Sequence, residues 1–374
     1  MHSSVKKWLV PVLITLLLVL VLSACSTPAP VTSTVTSTVT ATVTPPPQAS
    51  SLNGAGATFP QPLYNTWFIE YAKLTGVQIN YQGVGSGSGI NQITAGTVDF
   101  GASDGIMSDA QITAAEAAGG PILHIPMTSG AVAVIYNLSG ISSGQIKLTG
   151  DVLAKIYLKT IKNWNDPQIT ALNPGLSLPN TPIVVVHRSD GSGTTYIFTN
   201  YLSKVSDDWK NGPGNATAVS WPGDIGGQGN SGVAGVVQQT PGSIGYVELA
   251  YAEQNKLPWV LLKNAAGNYK APSLAGTTAA TVGVTLPDDM KIMITNSTNP
   301  DAYPIAGFTW ILAYVNQKDK LKGQALVNML WWAIHNGQQF GAALDYASLS
   351  SAAVAKAENE ILSIKYQGQP LLKR

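Results

Sequence analysis

Hydrophobic positions along the chain change period repeatedly, and each change falls on a turn rich in glycine and hydroxyl residues. The sharpest change lies in residues 184–195, VVVHRSDGSGTT. Val184, Val185 and Val186 are three consecutive β-branched residues, which predicts the end of a buried strand. Tyr196, Ile197, Tyr201, Leu202 and Val205 then recur at helical spacing, so the loop between opens an amphipathic helix. Two similar units come earlier. Residues 52–59, LNGAGATF, read as a strand and turn, and Pro60 and Pro62 suit the first turn of the helix that follows. Leu63, Tyr64, Trp67, Phe68, Tyr71 and Leu74 give that helix an apolar face, and Gly76 ends it. Residues 77–83 alternate as a strand, GSGSG at 85–89 opens a short helix through Ile90 and Ile93, and Gly96 stops it. Residues 98–104, VDFGASD, form another strand with a carboxylate at its end.

Further along, residues 131–136 (AVAVIY) and 310–315 (WILAYV) read as buried strands, and 243–248 (SIGYVE) as a third. Residues 147–164 read as a lysine-decorated helix with a solvated face, and residues 230–239 as another helix. Residues 323–340 carry Leu326, Met329, Leu330, Trp332 and Ile334 at the spacing of a core helix, with His335 capping or solvated. His124 and His187 fall at strand ends, and no two histidines have the spacing of metal ligands. Strands alternating with helices argue for an α/β fold with parallel strands. Ligands of such sheets lie beyond the carboxyl ends of the strands, where Thr58, Ser86, Asp104 and Arg188 fall.

The first fifty residues follow another logic. Lys6 and Lys7 precede an apolar run over 8–22, then Ser23, Ala24 and Cys25. A basic start, a short apolar stretch and small residues are the marks of a secretory signal, here residues 1–24. Residues 22–25, LSAC, also resemble the bacterial lipoprotein box, in which the cysteine is lipidated after cleavage. Cys25 is the one cysteine of the chain. Residues 26–50 are almost wholly Thr, Ser, Val, Ala and Pro, a composition that cannot bury a core, so residues 25–50 read as a lipidated cysteine and a flexible tether.

About 324 residues remain, enough for two ordinary domains. Without Lys6 and Lys7 the balance is 19 basic against 20 acidic residues, which argues against a nucleic-acid surface. Only two arginines occur, Arg188 and Arg374. A chain that uses lysine elsewhere has placed its one internal arginine in the VVVHRSDGSGTT loop. A guanidinium fork suits an oxyanion in a way that an ammonium does not, and helix amides and dipole point to the same place.

The segments GAGATFPQPLYNTW, NYQGVGSGSGI, DFGASDGIMSD, RSDGSGTTYIFTNYL, SIGYVELAYA and LDYASL closely resemble the phosphate-binding protein family of the bacterial high-affinity phosphate ABC transporter. The resemblance runs in order from about Leu52 to Leu349. It implies a two-lobed periplasmic-binding-protein fold of type II, with a ligand cleft between lobes joined by hinge strands. By position it implies phosphate contacts at Thr58, Phe59, Ser86, Asp104, Arg188, Ser192, Gly193 and Thr194, with Asp190 orienting the arginine. It further implies lobe one as residues 51–127 plus 306–374 and lobe two as 128–305. The implied protein is a monomer outside the cytoplasm that delivers inorganic phosphate to membrane permease and ATPase subunits, with no cofactor and no metal. Two positions depart from the family pattern: His187, where relatives can carry a second arginine, and the order Ser86-Gly87-Ser88-Gly89, where Ser-Ser-Gly-Gly is commoner.

Other readings stay open at this point. A receptor for sulfate or a phosphonate would use the same donors. A serine hydrolase is a different class: Gly101, Ser103 and Gly105 fit the G-x-S-x-G elbow after a strand. Gly140, Ser142 and Gly144 fit it as well, in a loop, and nothing in the sequence aims a histidine at Ser103. No G-x-x-x-x-G-K-[ST] occurs. For the amino terminus the expected outcome is a mature chain that begins at Cys25 and sediments with membranes. Cys25→Ala should release the protein or block processing, and a wholly soluble wild type retaining Met1 would contradict the anchor.

Overall fold

The computed structural model describes residues 47–373. The leader, Cys25 and all but the last four residues of the expected tether lie outside them. Those last residues already belong to the fold. The Ala49 N–H donates to the Leu321 carbonyl at 3.0 Å, and the Asn328 side chain donates to the Gln48 amide oxygen at 2.7 Å.

The first units form as the pattern predicts: β1 (Ser51–Gly56), α1 (Gln61–Thr75), β2 (Gln78–Gly83), α2 (Ser86–Thr94) and β3 (Phe100–Ser103). The N-cap of α1 is Pro60, and Gly76 ends it in the left-handed conformation at φ 77°. The helix buries Leu63, Tyr64, Trp67, Phe68 and Tyr71, but Leu74 is exposed. After α3 (Asp109–Gly119) comes β4 (Ile122–Tyr136), fifteen residues long. The expected strand at 131–136 is therefore only its last six residues, and His124 lies inside it rather than at a strand end.

The lysine-decorated helix over 147–164 is a correction. Only α4 (Gly150–Tyr157) is helical, and it buries Val152, Leu153, Ala154, Ile156 and Tyr157. The lysines lie at intervals around an apolar segment, which imitates a solvated face in sequence. Next come β5 (Val184–Arg188), α5 (Gly193–Val205), β6 (Ile225–Gly227), α6 (Gly229–Gln239) and β7 (Ser243–Glu248). Then come β8 (Ala306–Tyr314), α7 (Lys320–Ile334) and α8 (Ser351–Leu362). The helix expected over 323–340 breaks at His335, its C-cap, and continues as a 3-10 turn over Asn336–Phe340.

Eight strands make one mixed sheet in the order β2-β1-β3-β8-β4-β7-β5-β6. The expectation of parallel strands holds within each outer set. β1 is parallel to β2 and β3, and β5 is parallel to β6 and β7. It fails in the middle, where β8 is antiparallel to β3 and β4, and β4 to β7. Local βαβ units produce the parallel pairs. The central strands connect the two sets and arrive from opposite directions. Along β4 the partner changes: residues through Ala131 pair with β8, and Val132 to Tyr136 pair with β7. One strand thus belongs to both halves of the sheet, and β-to-α turns of both halves meet near its midpoint.

Candidate functional site

Four turns meet where the two halves of the sheet join: residues 57–60 before α1, 84–86 before α2, 188–193 before α5, and 227–229 before α6. Their helix starts present backbone N–H groups that have no partner inside the helix. Thr58, Phe59, Ser86, Asp104, Arg188, Ser192, Gly193 and Thr194 are all buried. The structure brings these eight residues together.

Arg188 ends β5, where Val185 and Val186 bury the strand below it. Its Nε and Nη2 donate to the two carboxylate oxygens of Asp190 at 2.8 and 2.5 Å. The Gly229 N–H donates to Asp190 at 3.0 Å. Burial alone would raise the Asp190 carboxyl, yet these hydrogen bonds and the Arg188 charge hold it below the usual carboxylate range. Nη1 donates to the Thr194 hydroxyl at 3.3 Å. Of five guanidinium N–H groups, one on each terminal nitrogen has no partner among the described residues, and the two form an open fork. His187 points to the opposite side of the strand, stacked on Trp221 with centroids 5.0 Å apart. The departure at His187 therefore leaves the fork untouched.

The two glycine loops close against each other. Gly87 donates its N–H to the Gly191 carbonyl at 2.9 Å, and a Cβ at position 87 would stand 3.1 Å from the Gly191 Cα. The Ser-Gly-Ser-Gly order places a glycine at this contact, where a serine would force the loops apart by a few tenths of an ångström. Ser86 Oγ accepts the N–H groups of Gly193 at 3.0 Å and Asp104 at 3.3 Å.

Asp104 follows β3 and is 1 % exposed. Thr309, on β8, donates to its Oδ1 at 2.8 Å. Burial pushes the Asp104 carboxyl up to about 7, against the opposing pull of the Thr309 hydroxyl, the Arg188 charge and the Ser86 hydroxyl. The other oxygen lies beside Gly193, whose missing side chain leaves it room: a Cβ there would be 2.4 Å from Oδ2.

Sequence reasoning missed a second layer of residues. Asn230 donates its side-chain amide to both Thr58 and Thr194. Tyr251 donates to the Thr58 carbonyl at 2.6 Å, and Tyr346 to the Phe59 carbonyl at 2.6 Å. Tyr346 also touches the buried Glu248 carboxyl, which burial raises well above its ordinary value. In sequence Asn230 resembles a helix cap, Thr309 an ordinary strand residue and the tyrosines core, so no local signal marks them.

The hydrolase motif takes another role. Ser103 Oγ donates to the Gly105 carbonyl at 2.6 Å and accepts the Gly105 N–H at 3.1 Å, closing its own turn. Among the described residues no hydrogen bond joins it to a histidine. His124 accepts the Met107 N–H, and His335 pairs with Glu358. No group of three or more His, Cys, Asp or Glu side chains capable of holding a metal occurs among the described residues.

A mixed sheet whose two halves converge on buried anion donors defines a solute-binding fold, and residues 41–327 match the model of the PBP superfamily domain. The phosphate-binding protein PstS of Xylella fastidiosa (strain 9a5c) is 45% identical over 309 residues, 82% of this chain and 84% of that protein. Its counterpart in Haemophilus influenzae is 42% identical over 315 residues, covering 84% and 93%. The chain belongs to the PBP superfamily and, within it, to the family of phosphate-binding proteins PstS. Among solved structures, a high-affinity periplasmic phosphate-binding protein with bound phosphate (PfluDING) superposes with TM-score 0.69 at 24% identity, over 83% of this chain and 93% of that one. A phosphate ABC transporter substrate-binding protein from Clostridium perfringens, described as putative, gives 0.56 at 17% identity over 80% and 100%. These two likenesses concern the fold.

Proposed function

We propose that this chain captures inorganic phosphate outside the cytoplasm and hands it to the permease and ATPase subunits of an ABC transporter. The observation that carries this is a buried nest that sets the Arg188 guanidinium, already held by Asp190, among N–H and O–H donors and beside the Asp104 carboxyl. The names of the relatives support the same ligand. Binding without chemistry fits the site, since Ser103 is engaged with its own turn. The contacts proposed are Thr58, Phe59, Ser86, Asp104, Arg188, Ser192, Gly193 and Thr194, with Asp190 holding the arginine. The protein acts as a monomer tethered through Cys25.

Asp104 supplies the selectivity. Phosphate near neutral pH carries at least one O–H, whereas sulfate carries none. One proton must lie between the Asp104 carboxyl and the anion oxygen facing it, and phosphate can bring it. Sulfate can bind only when Asp104 itself holds the proton, because an ionised carboxylate is acceptor-only. Unpaired lone pairs facing each other in a buried site cost several kcal/mol.

The lobes proposed are residues 51–127 plus 306–374 and residues 128–305, closing about β4 near Ala131 and about the entry to β8. Small-angle scattering should show a smaller radius of gyration with saturating phosphate than without it, and equal radii would contradict closure. Arg188→Ala removes the charge-assisted fork, worth about 2–5 kcal/mol in a buried site, so calorimetry should show phosphate weakened at least about thirtyfold. Arg188→Lys should recover only part of this; an alanine variant within about threefold of wild type would place the cation elsewhere. At pH 8 wild type should prefer phosphate to sulfate by at least about tenfold, because about nine-tenths of Asp104 must first take up a proton before sulfate can bind. Its sulfate affinity should rise as pH falls toward 7, the value to which Asp104 is raised, by about tenfold per pH unit above it. Asp104→Asn should bind sulfate better and without that pH dependence. Sulfate binding in wild type that ignores pH would remove Asp104 from the explanation.

A further inference from the structure

We propose that Asn230 is a positioning residue that turns the Thr58 and Thr194 hydroxyls into obligate donors toward the anion. The inference rests on the phosphate reading above. Asn230 lies in the first turn of α6 and is wholly buried. Its amide has one possible orientation. The Glu248 backbone N–H, which can only donate, reaches Oδ1 at 2.9 Å. The NH2 end must therefore face the other way. There it donates to Thr58 Oγ1 at 2.9 Å and to Thr194 Oγ1 at 3.1 Å.

A hydroxyl has two lone pairs and one proton, and left alone it can turn either toward a partner. Here that freedom is gone. Thr58 Oγ1 also accepts the Asn230 backbone N–H at 3.2 Å, so Asn230 occupies both of its lone pairs. Thr194 Oγ1 accepts one bond from Asn230 and one from Arg188 Nη1 at 3.3 Å. None of these nitrogens can accept a hydrogen bond in return. Each threonine can use its remaining valence only as a donor, and among the described residues neither proton has an acceptor. One asparagine thus fixes the polarity of two hydroxyls on two separate loops, one before α1 and one in α5. A ligand that offers lone pairs finds both donors already aimed, and one that offers N–H groups meets two more. This is preorganisation for an acceptor within the closed arrangement: once the loops meet, both hydroxyls are already aimed, and their orientation is not charged to the anion contact.

A plain structural role would be a staple holding α6 against the Thr58 loop. The two roles separate in a double-mutant cycle. Phosphate affinity is measured by calorimetry for wild type, Asn230→Ala, Thr58→Val, Thr194→Val and the two double variants, with a thermal melt of each. Asn230→Ala should weaken phosphate by about tenfold or more, the loss expected for two misdirected hydrogen bonds to a charged group. In each valine background the same substitution should cost at least about threefold less than it does beside both threonines, because one hydroxyl is no longer there to orient. Equal losses in wild type and in the Thr194→Val background, which a staple to the Thr58 loop alone predicts, or a loss below about threefold in wild type, would overturn the assignment. Should Asn230→Ala not fold, Asn230→Asp keeps the shape and still accepts the Glu248 N–H, but offers the threonines an oxygen. Its charge acts in every background, so only the part that depends on the threonines counts, and equal losses again overturn the proposal. A wild type that binds no oxyanion at all would defeat the phosphate reading and this inference together. Additive losses with intact wild-type binding would defeat this inference alone.

Discussion

A guanidinium withdrawn from water governs the design of the site. A buried cation is tolerated only when its charge and its N–H groups are met. Asp190 meets the charge of Arg188 along one edge, through Nε and Nη2, and the Gly229 amide anchors Asp190 in turn. The pair lies two residues apart on one loop, so the fork is set by local geometry. Lysine would not serve, since an ammonium cannot be gripped along one edge and still present two parallel donors. That is a physical reason for a chain with 21 basic residues to place its single internal arginine here.

The arginine alone would make an indiscriminate anion trap, and Asp104 opposes it. Its carboxyl is near enough for the Arg188 charge to favour ionisation, and buried enough for desolvation to outweigh that, which leaves it poised at about 7. Thr309 occupies one oxygen, so only the other faces the donors around Gly193. The site therefore combines a permanently charged donor with an acceptor of adjustable protonation. On the proposed reading, net attraction would come from the first and selectivity from the second.

Much of this was legible in the sequence, for identifiable reasons. The strand-turn-helix units around Thr58, Ser86 and Arg188 announce themselves because glycine and hydroxyl residues sit where the hydrophobic period changes. Tertiary direction was not legible. Nothing in AVAVIY or WILAYV says that β4 and β8 run antiparallel to their neighbours, since buried strands look alike in either direction. The lysines over 147–164 misled because spacing cannot reveal that most residues between them are core. Asn230 and Thr309 were invisible for a related reason. Each acts across the sheet, on Thr58 at a separation of 172 residues and on Asp104 at 205. A polar residue whose partner is that distant carries no local signature.

The bonds that shape the site are also bonds between its loops. Ser86 Oγ holds the Gly193 amide, Gly87 holds Gly191, and Asn230 holds Thr58 and Thr194 together. The Ser86–Gly193, Gly87–Gly191 and Asn230–Thr58 bonds join loops from the two sets of strands, so on the proposed two-lobe reading the binding geometry would form only as the lobes close. Ligand affinity and closure are then not independent quantities. The apparent affinity is the intrinsic one scaled by the fraction of molecules already closed. Glycines at 85, 87 and 191 would act on that fraction, because a Cβ at any of them would press on the facing loop. As proposed contacts, Arg188 and Asp104 would act on the intrinsic affinity, through charge and proton. The division explains how a loop order different from the family's commoner one can leave ligand chemistry intact: Gly87 changes how the loops meet, while the groups that face the anion stay where they were.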